Sequence, residues 1–200
     1  MNEKIWWYLT RSTGIVAWVL LTASVLWGLL FSTKLLAGRP TPKWLLDLHR
    51  FLGALAVIFT GIHLLTLAAD GYTTFGLREI LVPFGSSWRP APVAAGVVAM
   101  YTLVAVEVSS LAMKRLPRRL WRSIHLAAFA SFWLATVHGI AAGTDRTNRL
   151  LFAAYVAGAA SVVFLTAFRI LADRRSASSR RSTPSRNTAP HSTAVTGRQS

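Results

Sequence analysis

Five separate apolar runs limit what this 200-residue chain can fold into more than any other feature of its sequence. A helix needs roughly 20 apolar residues to cross about 30 Å of hydrocarbon. Proline and basic residues separate the runs, and both oppose a buried helix. The pattern predicts an all-α fold, a polytopic membrane helical bundle with about five transmembrane helices. The expected spans cover residues 14–33, 45–69, 93–113, 120–141 and 150–172.

Composition narrows the chemistry that such a bundle can perform. The hydrophobic fraction of 53% and the mean hydropathy of +0.44 are typical of membrane proteins. Cysteine is absent, which excludes disulfides, thiolate-bound iron–sulfur clusters and haem attached through a Cys-x-x-Cys-His site. The net charge is +15, and the basic residues that produce it lie between and after the apolar runs. We therefore expect membrane lipid as a partner and no nucleic acid.

The distribution of lysine and arginine predicts how the chain crosses the membrane. The first and third connections and the segment from residue 174 onward are the most basic, and they fall on one side. Cytoplasmic segments carry this excess of positive charge. We expect a multi-pass protein of the cell (plasma or inner) membrane with its N-terminus outside and its C-terminus cytoplasmic. Residues 174–200 are rich in Arg, Ser and Thr and are predicted to form a disordered basic cytoplasmic tail.

Four histidines lie inside two of the predicted spans. His49 and His63 are in the second span, and His125 and His138 are in the fourth. A lone intramembrane histidine often only forms a hydrogen bond to a neighbouring helix. Because a polar ring in hydrocarbon is costly, such a histidine also indicates a functional site. The two spans run in the same direction, so the histidines form two level pairs. Their intervals of fourteen and thirteen residues separate the levels by about 21 and 19.5 Å, which accommodates two stacked haems.

Neutral imidazole suits this chemistry because two of them fill both axial positions of a haem iron. Zinc and di-iron carboxylate sites lack their usual ligands beside these histidines. The pattern therefore predicts two b-type haems (heme b), with all four histidines as metal ligands. One difficulty is helical phase, since thirteen residues leave His138 about 140° from the direction of His125. We expect the fourth span to twist, aided by Gly139, or its ligands to approach from different sides.

Two histidine spacings resemble those of a known family. One is the His-x13-His spacing in the stretch from His49-Arg50-Phe51-Leu52-Gly53 through His63, and the other is the His-x12-His spacing of His125 and His138. It is the ferric reductase-like transmembrane domain of ferric reductases and NADPH oxidases, with the haem subunit of a periplasmic methionine sulfoxide reductase as a distant relative. The resemblance covers roughly residues 7–173, so residues 1–173 are expected to form the haem-binding transmembrane domain. It implies that His49 and His125 share the inner haem, and that His63 and His138 share the outer one.

Three further residues are candidates for haem binding near the inner pair. Arg50 and Arg122 flank it and are predicted to bind haem propionates, although cytoplasmic anchoring explains either arginine equally well. Gly53 lies four residues from His49, where a missing side chain would let a porphyrin approach. Close packing between helices explains this glycine equally well. The apolar piece at residues 75–84 is too short to span and is expected to lie on the outer surface as a lid.

These expectations combine into a transmembrane di-haem b-type cytochrome, a ferric reductase-like oxidoreductase subunit with no catalytic residue assigned. Larger members of the family append a flavin and nicotinamide module, and no Gly-x-Gly-x-x-Gly fingerprint occurs here. We therefore expect a separate flavoprotein or quinol electron donor, and an extracytoplasmic acceptor protein or ferric chelate. The alternative is a haem-free membrane transporter or a scaffold or sensor subunit. A transporter usually shows several intramembrane carboxylates, and Glu107 alone supports it weakly.

Overall fold

Helices form almost all of the computed structural model, which describes residues 3–32, 43–70, 75–143 and 148–181. Within these ranges there are six helices and no strand, which confirms the all-α class. Five of the helices are long and apolar enough to cross a membrane, as the sequence predicted. In chain order the helices are α1 (Glu3–Ser32), α2 (Lys43–Ala69), α3 (Leu77–Leu81), α4 (Pro90–Leu111), α5 (Arg118–Ala142) and α6 (Arg149–Arg181).

The first transmembrane helix begins earlier than the sequence predicted. Its apolar span starts at Ile5, nine residues before the expected start at residue 14. Polar residues in this region lowered the hydropathy on which the prediction depended. In the helix, Ser12 and Thr13 donate their hydroxyl protons to the carbonyls of Tyr8 and Leu9, at 2.7 and 2.6 Å. Such bonds satisfy the hydroxyl groups within the helix, so these residues are compatible with a span.

Four of the long helices form a ring around the centre of the bundle. The helices α1 and α2 pack closely as one hairpin, and α4 and α5 as another. The ring closes where α1 packs against α5 and where α2 packs against α4. In this arrangement the two histidine-bearing helices, α2 and α5, lie diagonally opposite each other. The last helix, α6, packs outside the ring against α1 and α5.

Lipid tails are as apolar as leucine side chains, so the hydrophobic effect does not hold helices together within a membrane. Packing between the helices depends instead on close van der Waals contact and a few buried hydrogen bonds. The Trp18 indole donates to Thr136 Oγ1 at 2.9 Å and joins α1 to α5. The Ser131 hydroxyl donates to the Ala99 carbonyl at 2.9 Å and joins α5 to α4. Large apolar side chains such as Leu65 remain exposed on the outside of the bundle, where a bilayer would cover them.

The two ends of the bundle differ, and each is named here by its neighbouring segment. At the α3 end, α1, α4 and α6 begin and α2 and α5 end; the opposite end is the tail end. The segment expected to act as a lid contains α3, where Ile80 is buried and the Tyr101 hydroxyl donates to the Leu81 carbonyl at 2.7 Å. This segment therefore packs against α4 on the α3 side of the bundle, and its role as a lid stays a prediction.

The last helix extends beyond its membrane-spanning part. The apolar span is Arg149–Ala172, but α6 continues to Arg181. It thus enters the segment that was predicted to be a disordered tail. The rest of that segment, residues 182–200, lies outside the described residues, so the division into a transmembrane domain and a tail stays a prediction.

Candidate functional site

The four intramembrane histidines lie in two groups inside the ring of helices. At the tail end, the rings of His49 and His125 have centroids 6.0 Å apart and planes inclined by 68°. At the α3 end, His63 and His138 line one cavity of about 610 Å³. The two groups are named here the tail-end pair and the α3-end pair. Each pair contains one histidine from α2 and one from α5.

Three of the imidazoles are oriented by a backbone carbonyl of the neighbouring helix. A carbonyl oxygen only accepts, so in each case the Nδ1 atom donates and therefore carries the proton. The Nε2 atom is then unprotonated, with a lone pair available for a metal. Metal-ligating histidines characteristically donate their other ring nitrogen in this way. The bonds join His63 to the Thr10 carbonyl at 2.8 Å, His138 to the Pro92 carbonyl at 2.9 Å, and His49 to the Ser24 carbonyl at 3.1 Å.

The fourth imidazole, His125, has a hydroxyl partner instead. Its Nδ1 atom lies 3.4 Å from Ser110 Oγ. The Ser110 hydroxyl donates to the Val106 carbonyl at 2.8 Å, so its oxygen is the acceptor for the Nδ1 proton. The Trp121 ring stacks on His125 with a centroid distance of 5.0 Å and an angle of 25°. This histidine is therefore also held with its Nε2 atom free of the proton.

The phase difference of about 140° between His125 and His138 is accommodated without a break in α5, which is helical throughout Arg118–Ala142. Both of its histidines reach α4, His125 at Ser110 and His138 at Pro92. Eighteen residues make five turns, so these two partners occupy one face of α4. The ligands thus approach that face from different sides of α5. Gly139 does not break the helix; its missing side chain leaves room for the Tyr155 hydroxyl from α6.

The other predicted haem-binding residues have ordinary explanations in the structure. Arg50 is exposed and forms an ion pair of 4.0 Å with Asp47, and Arg122 is exposed as well. Gly53 faces α4, where a Cβ atom would lie 2.9 Å from the Glu107 carboxylate. This glycine leaves room for a side chain of the adjacent helix. Haem contacts by Arg50, Arg122 and Gly53 stay predictions.

The described residues contain no group of three or more His, Cys, Asp or Glu side chains that is able to hold a metal ion. That part of the chain therefore lacks the ligand set of a structural zinc or di-iron site. Two imidazoles are sufficient for haem, because they fill the two axial positions. With metal–nitrogen bonds of about 2.0 Å, two opposed imidazoles have centroids roughly 6.3 Å apart. The centroid distance of the tail-end pair, 6.0 Å, is close to this separation.

Two buried polar groups in the described part of the chain have no hydrogen-bond partner, and one lies at each histidine pair. They are Thr10 Oγ1 and Trp121 Nε1. Thr10 lines the cavity and bonds His63 through its carbonyl, and Trp121 stacks on His125. An unsatisfied buried donor costs about 1–3 kcal/mol. A separate ligand with carboxylate acceptors at each level would satisfy the donor there, and each of two haems would carry such acceptors in its propionates.

Glycines that face the imidazoles were missed in the sequence. Gly14 and Gly96 lie against the α3-end pair, and Gly28 lies against His49. A signal was present, because Gly14 and Gly28 are fourteen residues apart, as are Gly96 and Ser110. This interval equals the spacing of His49 and His63 and returns within about 40° of one helix face.

Residues 13–137 match the family model described as ferric reductase like transmembrane component. The match covers well over half of the chain, includes His49, His63 and His125, and ends one residue before His138. Comparison with curated proteins and with solved structures gave no match.

Proposed function

This chain belongs to the family of ferric reductase like transmembrane components, and from that premise we propose that it is a transmembrane di-haem b-type cytochrome. The family places it in membrane electron transfer, and its transmembrane domains generally bind haem. The observation that carries the proposal of two haems is the pair of imidazoles at each of two levels. All four rings are hydrogen-bonded through Nδ1, which leaves Nε2 available for a metal.

In this proposal, His49 and His125 bind one haem iron at the tail end, and His63 and His138 bind the other at the α3 end. Bound haem would supply a reversible one-electron carrier at each level. The hydrogen bonds at Nδ1 fix the tautomer of the imidazoles and keep them correctly turned. Thr10 and Trp121 provide buried donors for haem carboxylates. Since α2 and α5 each contribute one ligand to each pair, haem would also join these two diagonal helices.

The proposed orientation in the membrane follows from charge. The tail end carries the more basic connections, so we propose that it faces the cytoplasm and that the α3 end faces outward. The electron donor is then a separate flavoprotein or a membrane quinol acting at the tail end. The acceptor, a protein or a ferric chelate, is approached from the α3 end, where Phe75 and Trp88 line the cavity.

A pyridine haemochrome assay on the purified protein tests the proposal, with about two haems per chain as the expected result. His63→Ala is expected to remove one haem and His49→Ala the other, because a single imidazole holds a b-type haem poorly. His191→Ala is the matched control and should keep both, since the sequence predicts no partner for that histidine.

Two outcomes would contradict this assignment. Retention of both haems in His63→Ala or in His49→Ala would show that these residues are not the ligands. A wild-type protein without haem would instead favour the alternative of a membrane transporter, scaffold or sensor.

A further inference from the structure

Three of the four imidazoles lie against a glycine of the neighbouring helix. A Cβ atom at Gly96 would lie 2.6 Å from the Nδ1 atom of His138. At Gly14 the distance to His63 would be 3.0 Å, and at Gly28 the distance to His49 would be 3.3 Å. Real Cβ atoms essentially never lie as close to a neighbour as the one at Gly96 would, and the distances at Gly14 and Gly28 are tighter than nine in ten real Cβ contacts. The closest atoms belong to imidazole rings and not to helix backbone, so simple helix-to-helix contact does not account for these glycines.

Each of these glycines stands four residues after the carbonyl that receives the Nδ1 proton. A helical side chain leans toward the N-terminus, so the side chain of one residue covers the carbonyl four positions earlier. Where that residue is glycine, the carbonyl stays open on one side. It then accepts the imidazole proton besides its helical N–H, because a carbonyl oxygen has two lone pairs. The three combinations are Thr10 with Gly14, Ser24 with Gly28, and Pro92 with Gly96.

The fourth position follows the same register with a different residue. Ser110 lies fourteen residues after Gly96 and four after Val106. Its hydroxyl bonds the Val106 carbonyl and covers it, and His125 reaches the serine oxygen instead. The exception supports the rule, because the imidazole changes its acceptor at the one position that carries a Cβ atom.

We infer that Gly14, Gly28 and Gly96 are positioning residues that hold axial histidines in the tautomer and direction needed to bind haem. This inference rests on the proposed function, since it assigns the histidines to haem. A Cβ atom at these positions would displace the ring and weaken its bond to the carbonyl. Loss of such a partner typically lowers metal affinity by about 10- to 100-fold.

Gly96→Ala is the sharpest test, because its Cβ atom would be the closest to an imidazole. Gly61→Ala is the matched control: Gly61 is also helical, lies on α2 and has nothing within 4 Å of the added atom. Both variants are purified in detergent, checked for a monodisperse elution profile, and assayed for haem per chain, redox midpoint potentials and the low-spin ferric EPR signals.

Gly96→Ala is expected to lose the α3-end haem, or to release it to apomyoglobin about 10- to 100-fold faster than the wild type. The tail-end haem should keep its potential and its EPR signal, and Gly61→Ala should match the wild type in every readout. A Gly96→Ala protein that keeps both haems with wild-type signals overturns the inference. So does one that loses both haems equally, because the effect is then not on one ligand. A wild-type protein without haem would instead remove the proposed function, and this inference with it.

Discussion

The two histidine pairs have the same ligand chemistry but are held with different precision. At the α3 end, the Nδ1 bonds measure 2.8 and 2.9 Å, and both acceptors are backbone carbonyls. At the tail end, His49 Nδ1 lies 3.1 Å from the Ser24 carbonyl and 3.4 Å from the Ser24 hydroxyl, and His125 Nδ1 lies 3.4 Å from the Ser110 hydroxyl. The glycine contacts follow the same order, with Gly14 and Gly96 closer to their rings than Gly28 is. The α3-end pair is thus held by rigid backbone and the tail-end pair partly by a side chain.

The surroundings of the pairs differ in a matching way. The α3-end pair lines a cavity of about 610 Å³, and residues of the segment around α3 line it as well. The tail-end rings lie 6.0 Å from each other, and Trp121 stacks on one of them. The two imidazoles that line the cavity depend on their backbone acceptors for position, whereas the stacked Trp121 ring also supports His125. We therefore expect substitutions beside the α3-end pair to be the more damaging ones.

Gly14→Ala and Gly28→Ala test the difference between the two histidine pairs most directly, because both glycines lie on α1. Gly14→Ala should speed release of the α3-end haem by about tenfold, in line with the loss of an outer hydrogen-bond partner. Gly28→Ala should speed release of the tail-end haem by only about twofold, since its Cβ atom would lie 3.3 Å from the ring, against 3.0 Å at Gly14, and a smaller movement relieves that contact. Transfer of haem to apomyoglobin measures the release rate, and the EPR signal and midpoint potential of the haem that remains show which one has left. Equal effects at the two ends would remove the proposed difference in rigidity.

Hydropathy was sufficient to predict the five spans, because a membrane helix must satisfy its backbone groups internally and covers a fixed thickness. The levels of His49 and His125, and of His63 and His138, followed from the parallel direction of two spans. The start of α1 was misplaced, since Ser12 and Thr13 read as polar until their bonds to the preceding turn are known.

The residues that orient the histidines were not predictable in the same way. A backbone carbonyl has no signature in the sequence, so Ser24 and Pro92 gave no signal as acceptors. Gly53 was chosen for its distance from His49 along the same helix, but it faces Glu107 of α4. The fourteen-residue interval from Gly14 to Gly28 was visible. Its meaning required knowing that α1 packs beside α2, which only the tertiary structure supplies.

The two unsatisfied donors offer a test with one member at each end. Thr10→Val should speed release of the α3-end haem, and Trp121→Phe should speed release of the tail-end haem. Each is expected to change the rate by about fivefold, the effect of roughly 1 kcal/mol for a lost hydrogen bond. Phenylalanine keeps a ring that stacks on His125, so the change at Trp121 isolates its N–H group. Thr13→Val is the control on α1, because the Thr13 hydroxyl already bonds the Leu9 carbonyl. If Thr10→Val changed the release of the tail-end haem, the assignment of the Thr10 hydroxyl to the α3-end haem would be wrong.

Ser110 allows the smallest and most selective change, because two substitutions there should move one potential in opposite directions. Ser110→Gly opens the Val106 carbonyl to His125 and gives the imidazole a stronger acceptor, which stabilises the ferric state. Ser110→Ala removes the acceptor and keeps the Cβ atom, which disfavours the ferric state. A difference of about 1 kcal/mol in a hydrogen bond corresponds to roughly 40 mV for one electron. A potentiometric titration should therefore show the tail-end potential falling in Ser110→Gly and rising in Ser110→Ala, with the α3-end potential constant. Shifts of the same sign in both variants would mean that packing, and not the acceptor of the Nδ1 proton, distinguishes the two ends.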